Sequence, residues 1–344
     1  MNGIFTDKTI VITGGTGSLG KVLVRRILQE EMGRPRKIIV FSRDEAKQHD
    51  MRLQYETQKA ATEEIIYHNY THLLQFRIGD IRNYHSVCSV LRDADIVINA
   101  AALKQVPSCE YFPYEAVETN ITGAQNIVMA IRENNFPIQT VVGVSTDKAV
   151  KPVNVMGMSK AIQERVFIAA NINSPTRFIG VRYGNVLASR GSVVPLFQQQ
   201  IKAGGPVTIT TKDMTRFLLP LDKGVDTIFA AILNAHAGEI YIPKVPAAKI
   251  IDVAEIMIGE KNIEIKKTGI RPGEKIHEIL VSAEESLHTY HRHGYFAISS
   301  MLPEVSVPLC ELILNKEYSS SEFLMTKEET KKLFEDNNLL GDKK

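Results

Sequence analysis

Three groups of residues in this chain have the types and spacings that bind a nucleotide or move protons. Gly14, Gly17 and Gly20 form a Gly-x-x-Gly-x-x-Gly pattern within Thr13-Gly14-Gly15-Thr16-Gly17-Ser18-Leu19-Gly20, directly after the apolar run Thr9-Ile10-Val11-Ile12. Glycines there permit a tight turn, a close backbone approach to a pyrophosphate and close packing of the next helix, whose N-terminus faces the anion. Gly15 to Gly20 followed by Lys21 also resembles a nucleoside-triphosphate loop, but that loop needs Ser or Thr next to hold magnesium, and the residue is Val22. The second group is Phe41-Ser42-Arg43-Asp44, with Lys47 one turn on. In a dinucleotide fold this point meets the adenosine ribose: Ser42, Arg43 and Lys47 suit the 2′-phosphate of NADP, whereas Asp44 on the ribose hydroxyls would suit NAD. NADP is favoured. The third group is Ser145-Thr146-Asp147-Lys148, at the end of the run Thr140-Val141-Val142-Gly143-Val144. A carboxyl group beside an amine can serve as acid and base, provided that desolvation or a nearby cation such as Lys160 lowers the lysine from about 10.4.

These groups need a scaffold that brings strand ends together. Apolar β-branched runs at Thr9 to Ile12, Lys37 to Phe41, Gln75 to Asp80, Ile96 to Ala100, Thr140 to Val144 and Thr176 to Val181 read as strands buried on both faces. Amphipathic stretches lie between them, as at Val22 to Leu28, Tyr84 to Leu91 and Ala116 to Asn134. Such alternation predicts an α/β protein with a Rossmann-type, doubly wound parallel sheet, because parallel neighbours need a crossover helix. Glu56 to Leu74 is longer than a link between strands requires and predicts an inserted helix or lid. Beyond about Asn185 the alternation fades and Gly204-Gly205-Pro206 and Arg271-Pro272-Gly273 punctuate shorter pieces. The expected division is a dinucleotide-binding domain over 1–186, completed by about 218–240, and a smaller substrate-binding portion over 187–344. Thr326-Lys327-Glu328-Glu329 is a capping box that should open a late helix.

The 344 residues are 44% hydrophobic and 23% charged, the balance of a soluble globular protein. With a net charge of +2, no bulk field would hold nucleic acid or an anionic membrane, so an anionic ligand must be met by a local site. Cys88, Cys109 and Cys310 are too few and scattered for a disulfide framework or a CxxC metal pair. No export signal or membrane span is predicted, and a cytoplasmic setting is the simplest expectation. His288, His291 and His293 have charged, loop-like flanks, and no metal site is expected.

Taken together, the segments Thr13 to Gly20, Phe41 to Glu45, Gly79-Asp80-Ile81-Arg82, Ala100 to Pro107, Ser145 to Val150, Met156 to Lys160, Arg182 to Val186 and Arg271 to Lys275 resemble the extended short-chain dehydrogenases/reductases. More narrowly, they resemble the bacterial UDP-N-acetylglucosamine 4,6-dehydratases of capsule, flagellin and lipopolysaccharide sugar synthesis. The likeness runs from the first strand to about residue 280. It implies a homo-oligomer, a dimer or a hexamer, that binds NADP and UDP-N-acetylglucosamine. The cofactor contacts it implies are Thr13, Gly14, Thr16, Gly17, Ser18, Leu19, Gly20, Ser42, Arg43, Asp44, Lys47, Asp80, Ile81, Ala100, Ala101, Ala102, Lys104, Asn120, Lys160, Tyr183, Asn185 and Val186. The substrate contacts are Lys104, Asn185, Arg190, Val193, Arg216, Arg271 and Glu274.

In the wider superfamily a Tyr four residues before the helical Lys is the acid/base. That position is Met156, ahead of Lys160, and a thioether cannot exchange a proton. The implied reaction oxidises C4 of the sugar, removes the C5 hydrogen with the C6 hydroxyl as water, and returns hydride to C6. Lys148 is then the expected C5 base and Asp147 the C6 acid, with Thr146 or Ser145 on the 4-oxygen and Lys160 on the nicotinamide ribose. Lys148, Asp147 through a hydroxyl, or a water chain to Lys160 would take the C4 proton. The competing readings are a UDP-sugar 4-epimerase and a non-catalytic NADP-binding protein.

Overall fold

Strand-forming runs without a polar face can be satisfied only in the middle of a sheet, and the computed structural model places all but one of them there; the run at Gln75, expected to be buried on both faces, lies instead at the edge of the sheet and is largely exposed. The structure describes residues 3–57, 64–187, 191–306 and 314–340. The first half alternates strands and helices: β1 (Thr9–Thr13), α1 (Ser18–Leu28), β2 (Lys37–Ser42), α2 (Glu45–Thr57), α3 (Glu64–Leu73), β3 (Leu74–Ile78), α4 (Tyr84–Leu91) and β4 (Ile96–Asn99). Next come α5 (Val106–Tyr111), α6 (Pro113–Ala116), a π-helical turn over Val117–Thr122, α7 (Gly123–Asn134), β5 (Thr140–Thr146), α8 (Val155–Ala170) and β6 (Arg177–Tyr183). The second half holds β7 (Asn185–Val186), α9 (Val193–Lys202), β8 (Val207–Ile209), β9 (Thr215–Leu219), α10 (Leu221–Asn234), β10 (Ile240–Pro243), β11 (Ala247–Lys249), α11 (Ile250–Ile258) and β12 (Ile265–Lys267). It closes with β13 (Ile279–Val281), α12 (Ala283–Ser286), β14 (Thr289–Arg292), β15 (Tyr295–Ile298), β16 (Tyr318–Ser319) and α13 (Lys327–Asp336).

The main sheet has the order β14-β15-β10-β6-β5-β4-β1-β2-β3. β1 pairs in parallel with β2 on one side and β4 on the other, so the connections after β1 and β4 diverge and leave a crevice at their carboxyl ends. This is the doubly wound α/β architecture. One face buries Ile10, Ile12, Leu23, Ile27 and Val40, and the other Val11, Val97, Ile127, Val141 and Phe167.

Two expectations change. The sheet is not complete by 218–240: β10 extends it beside β6, and β15 and β14 add antiparallel strands up to Ile298. The chain returns late because β6, buried on both faces, would otherwise be an open edge. Among the described residues of the 56–74 stretch there is a packed helix, not a lid. Ile66 and Tyr70 of α3 enter the core beside Met51 and Tyr55, and the Asn69 side chain donates to Leu28 O at 2.8 Å. The capping box is formed, with Thr326 Oγ1 accepting from the Glu329 amide and the Glu329 carboxylate accepting from the Thr326 amide. His291 and His293 are exposed.

Candidate active site

The crevice starts at Thr13, whose hydroxyl donates to Asn99 Oδ1 at 2.6 Å and accepts from the Ala101 amide at 3.2 Å, locking the ends of β1 and β4 together. Ala100 N donates to Thr13 O. Gly14 follows at φ +66°, and a Cβ there would lie 2.8 Å from the Ala101 backbone. A Cβ on Gly20 would lie 2.5 Å from Gly15, so this glycine lets α1 cross tightly over the turn. Gly17 caps α1, with Ser18 and Leu19 beginning the helix, and the cap carries no side-chain hydrogen bond.

At the end of β2, Ser42 is buried and its hydroxyl lies 3.1 Å from that of Thr16. The Asp44 carboxylate is turned to its own helix: one oxygen accepts from the Lys47 amide at 3.0 Å and the other pairs with Lys47 Nζ. Arg43 remains half exposed, 3.8 Å from Asp80. Burial would raise the Asp80 carboxyl, but Arg82, at 2.8 Å, and Arg43 hold it below the usual range. The Ile81 carbonyl accepts from Asn126, while its side chain is core. Asn120, in the π-helical turn, spends its amide on Leu103 N, Leu103 O and Ser159 Oγ, so it braces the Ala100-Ala101-Ala102 loop. Tyr183 is buried in the core, and desolvation pushes its phenol up.

The end of β5 carries the acid and base groups. Asp147 is completely buried at the start of a 3-10 turn; its Oδ1 accepts from Thr146 Oγ1 at 2.9 Å and from Lys148 Nζ at 3.1 Å. Its Oδ2 has no hydrogen-bond partner among the described residues. Lys148 Nζ also reaches Asn185 Oδ1 and Glu278 Oε1, each at 3.1 Å. Burial pushes the Asp147 carboxyl up, with Glu278 adding to the shift. Burial also works against the Lys148 ammonium, but Asp147 and Glu278 outweigh it and hold the lysine above its ordinary value. This corrects the expected route to a base: the lysine beside Asp147 is not lowered. Lys160 is lowered, brought down to about 8 by burial, and its ammonium donates to the neutral Gln163 side chain at 2.6 Å; burial also lowers Lys275.

Ser145 faces away from the crevice, donating to Glu164 Oε1 at 2.5 Å. Met156 packs with Cys109 and Ala116 in a small apolar cluster. Lys104 is exposed, Val193 begins α9, and Val186 lies in β7, which pairs with β9. The Arg271 to Lys275 turn docks beside the acid/base pair: Asn154 donates to Gly273 O at 2.7 Å and Lys275 Nζ to Val150 O at 2.5 Å. Arg271 is exposed, and Glu274 accepts from Thr210 at 3.1 Å. Arg216, expected among the substrate contacts, lies under this turn. It is buried and its donors go to the carbonyls of Thr215, Ile276 and Lys275, so it is a strut under this turn. Arg190 lies outside the described residues.

Sequence reasoning missed Glu278 and the Ser145-Glu164-Arg182-Glu285 chain. The one available signal for Glu278 was its place three residues beyond the Arg271-Pro272-Gly273-Glu274-Lys275 segment.

The model of the Polysaccharide biosynthesis protein family matches residues 10–300. The chain belongs to this family. A family relative named UDP-glucose 4-epimerase, from Rickettsia bellii (strain OSU 85-389), is 44% identical over 301 residues, covering 86% of this chain and 84% of the relative. Another, named UDP-N-acetylglucosamine 4,6-dehydratase (inverting), from Campylobacter jejuni, is 42% identical over 300 residues with the same coverage. The X-ray structure of Pen from Bacillus thuringiensis superposes with a TM-score of 0.87 at 35% identity, over 98% of this chain and 100% of that one. DesIV from Streptomyces venezuelae, described as a dTDP-glucose 4,6-dehydratase with NAD and TYD bound, has a TM-score of 0.66 at 20% identity over 78% of this chain and 86% of its own. At that identity the likeness is one of fold. Among the described residues no helix is long and apolar enough to cross a membrane, and no cluster of His, Cys, Asp and Glu could hold a metal.

Proposed function

We propose that this protein is a UDP-N-acetylglucosamine 4,6-dehydratase with a recycled NADP. The observation that carries the reading is Asp147, a wholly buried carboxyl group pushed towards its protonated form, 3.1 Å from an ammonium at the carboxyl end of β5. An epimerase moves hydride on and off one carbon and needs no buried acid for a leaving hydroxyl, whereas a dehydratase does.

The glycine turn fits a dinucleotide, because Gly14, with no Cβ, lets the turn lie against the Ala101 backbone and the α1 N-cap, Gly17, makes no side-chain hydrogen bond. Thr13 to Gly20, Ala100 to Ala102 and Lys160 would hold it; once bound, its nicotinamide supplies reversible hydride acceptance. Arg43, half exposed at the end of β2, is assigned to a 2′-phosphate. Lys160, lowered to about 8, can take the C4 hydroxyl proton through a water chain, since Met156 in the tyrosine position cannot relay it, and Thr146 is assigned to the 4-oxygen. Lys148 passes one proton across 3.1 Å to Asp147 Oδ1, giving a neutral amine and a carboxylic acid at once. The amine takes the C5 hydrogen, the C5–C6 double bond forms as the C6–O bond breaks, and Asp147 returns its proton to the departing hydroxyl as water. Lys104, Asn185, Val193, Arg190, Arg271 and Glu274 are assigned to the UDP-sugar.

The test is incubation of the purified protein with UDP-N-acetylglucosamine followed by mass analysis. A product lighter by one water supports the dehydratase; an isobaric product supports the epimerase that some relatives are named for. No turnover despite cofactor binding would leave a binding protein.

A further inference from the structure

Lys148 has two carboxylate neighbours, and only one belongs to its own turn. Glu278, just ahead of β13, is 2% exposed, with Oε1 3.1 Å from Lys148 Nζ and 3.7 Å from Arg216 Nε. Its Oε2, like Asp147 Oδ2, is buried without a hydrogen-bond partner among the described residues. Glu278 shares the Lys148 ammonium and also faces Arg216, whereas Asp147 is ion-paired with Lys148 alone among the described residues, so a proton on Asp147 relieves the cluster. Arg216 Nε stands 3.7 Å from Glu278, and two of its other donors fix the backbone leading to Glu278.

We propose that Glu278 is a positioning residue of the Asp147-Lys148 pair: it fixes the lysine from the C-terminal half, so that the shared proton is carried by Asp147. The charged groups around the cluster divide the same way. Lys148, Arg216 and Lys275 all hold Glu278 down, although burial opposes them, whereas Asp147 is raised by burial and by Glu278 itself. Of the three oxygens that Lys148 Nζ reaches, the Asn185 amide cannot take a proton and the Glu278 carboxylate is the one held down by its cations, which leaves Asp147 to receive it. The role in turnover rests on the dehydratase reading; the effect on Asp147 does not.

The experiment compares wild type, Glu278→Gln and Glu278→Asp, with Glu284→Gln as an exposed control. The carboxyl titration of Asp147 is followed by carbon-13 NMR in substrate-free protein, assigned with Asp147→Asn. The midpoint is expected to fall in Glu278→Gln, remain in Glu284→Gln and return towards wild type in Glu278→Asp. With UDP-N-acetylglucosamine, kcat for water loss should drop about 100-fold in Glu278→Gln with KM within about threefold, as for a displaced catalytic pair. An unmoved Asp147 midpoint in a folded Glu278→Gln protein overturns the proposal. If that variant does not fold, Glu278→Asp decides through a smaller fall of the same midpoint, and no fall overturns the proposal. A wild-type protein that shows the shift but never loses water from the sugar defeats the dehydratase reading and leaves the Glu278–Asp147 coupling standing.

Discussion

Arg182 grips Glu164 with two hydrogen bonds, Nε to Oε1 at 3.0 Å and Nη2 to Oε2 at 2.6 Å, and both side chains are buried. The same guanidinium holds Glu285 on α12, so one arginine joins the helix behind the site to the C-terminal half. Removing one partner of such a group strands the other charges. Arg182→Met should cost about 3–5 kcal/mol in urea denaturation. Ser145→Ala, which loses only the bond to Glu164, should cost roughly 1.5–3 kcal/mol with little change in kcat. A large fall in kcat at unchanged stability would return Ser145 to the substrate oxygen.

Lys160 gives a signature in stability against pH. Its pKa is about 8 in the folded protein because burial disfavours the ammonium, against 10.5 for the free side chain. Between those values the unfolded chain holds a proton that the folded one has released, so stability rises with pH across that window. Relative to Lys160→Met, the wild type should gain roughly 3 kcal/mol from pH 8 to 10.5. Parallel denaturation curves at several pH values measure it, and a constant difference would contradict a lowered lysine.

The choice between cofactors turns on Arg43, the half-exposed cation beside Asp80. Arg43→Ala should weaken NADP binding about 10- to 100-fold, the value of one charge-assisted contact, and leave NAD binding nearly unchanged. Fluorescence or calorimetric titration with both nucleotides checks this. Equal losses for the two would remove Arg43 from the 2′-phosphate.

Tyr111, Phe112 and Tyr114 are exposed where α5 meets α6, and α8 presents Met158 and Ile162 to solvent. Apolar residues exposed in that way favour association, and the oligomer that the family resemblance implies is expected to use this face. Phe112→Glu combined with Ile162→Glu should lower the mass seen by light scattering. A wild type that is already monomeric would end the idea.

The parts of the molecule that could be read from the sequence are those whose cause is local. Ile10, Val11 and Ile12 are apolar in succession because β1 is covered on both faces, and Gly14 and Gly20 stand where backbone touches backbone. The Asp147-Lys148 pair was visible because its members are adjacent. Glu278 and the Arg182 cluster were not, since a buried ion pair is defined by a partner from a distant part of the chain. For the same reason nothing near Arg216 in the sequence announces that its donors reach the carbonyls of 275 and 276. The boundary near 186 marked a real change of pattern, but pattern does not reveal that a later strand comes back to the sheet.

That return has a practical meaning. Gly180 and Val181 of β6 lie against Ile240 and Tyr241 of β10. A fragment ending at 186 would retain the whole glycine turn but expose an unpaired strand bearing Phe178, Ile179 and Val181. Bare apolar edges recruit strands from other molecules. The nucleotide-binding half is therefore not a portable module: expressed by itself, it would aggregate through β6 instead of serving as a minimal cofactor binder.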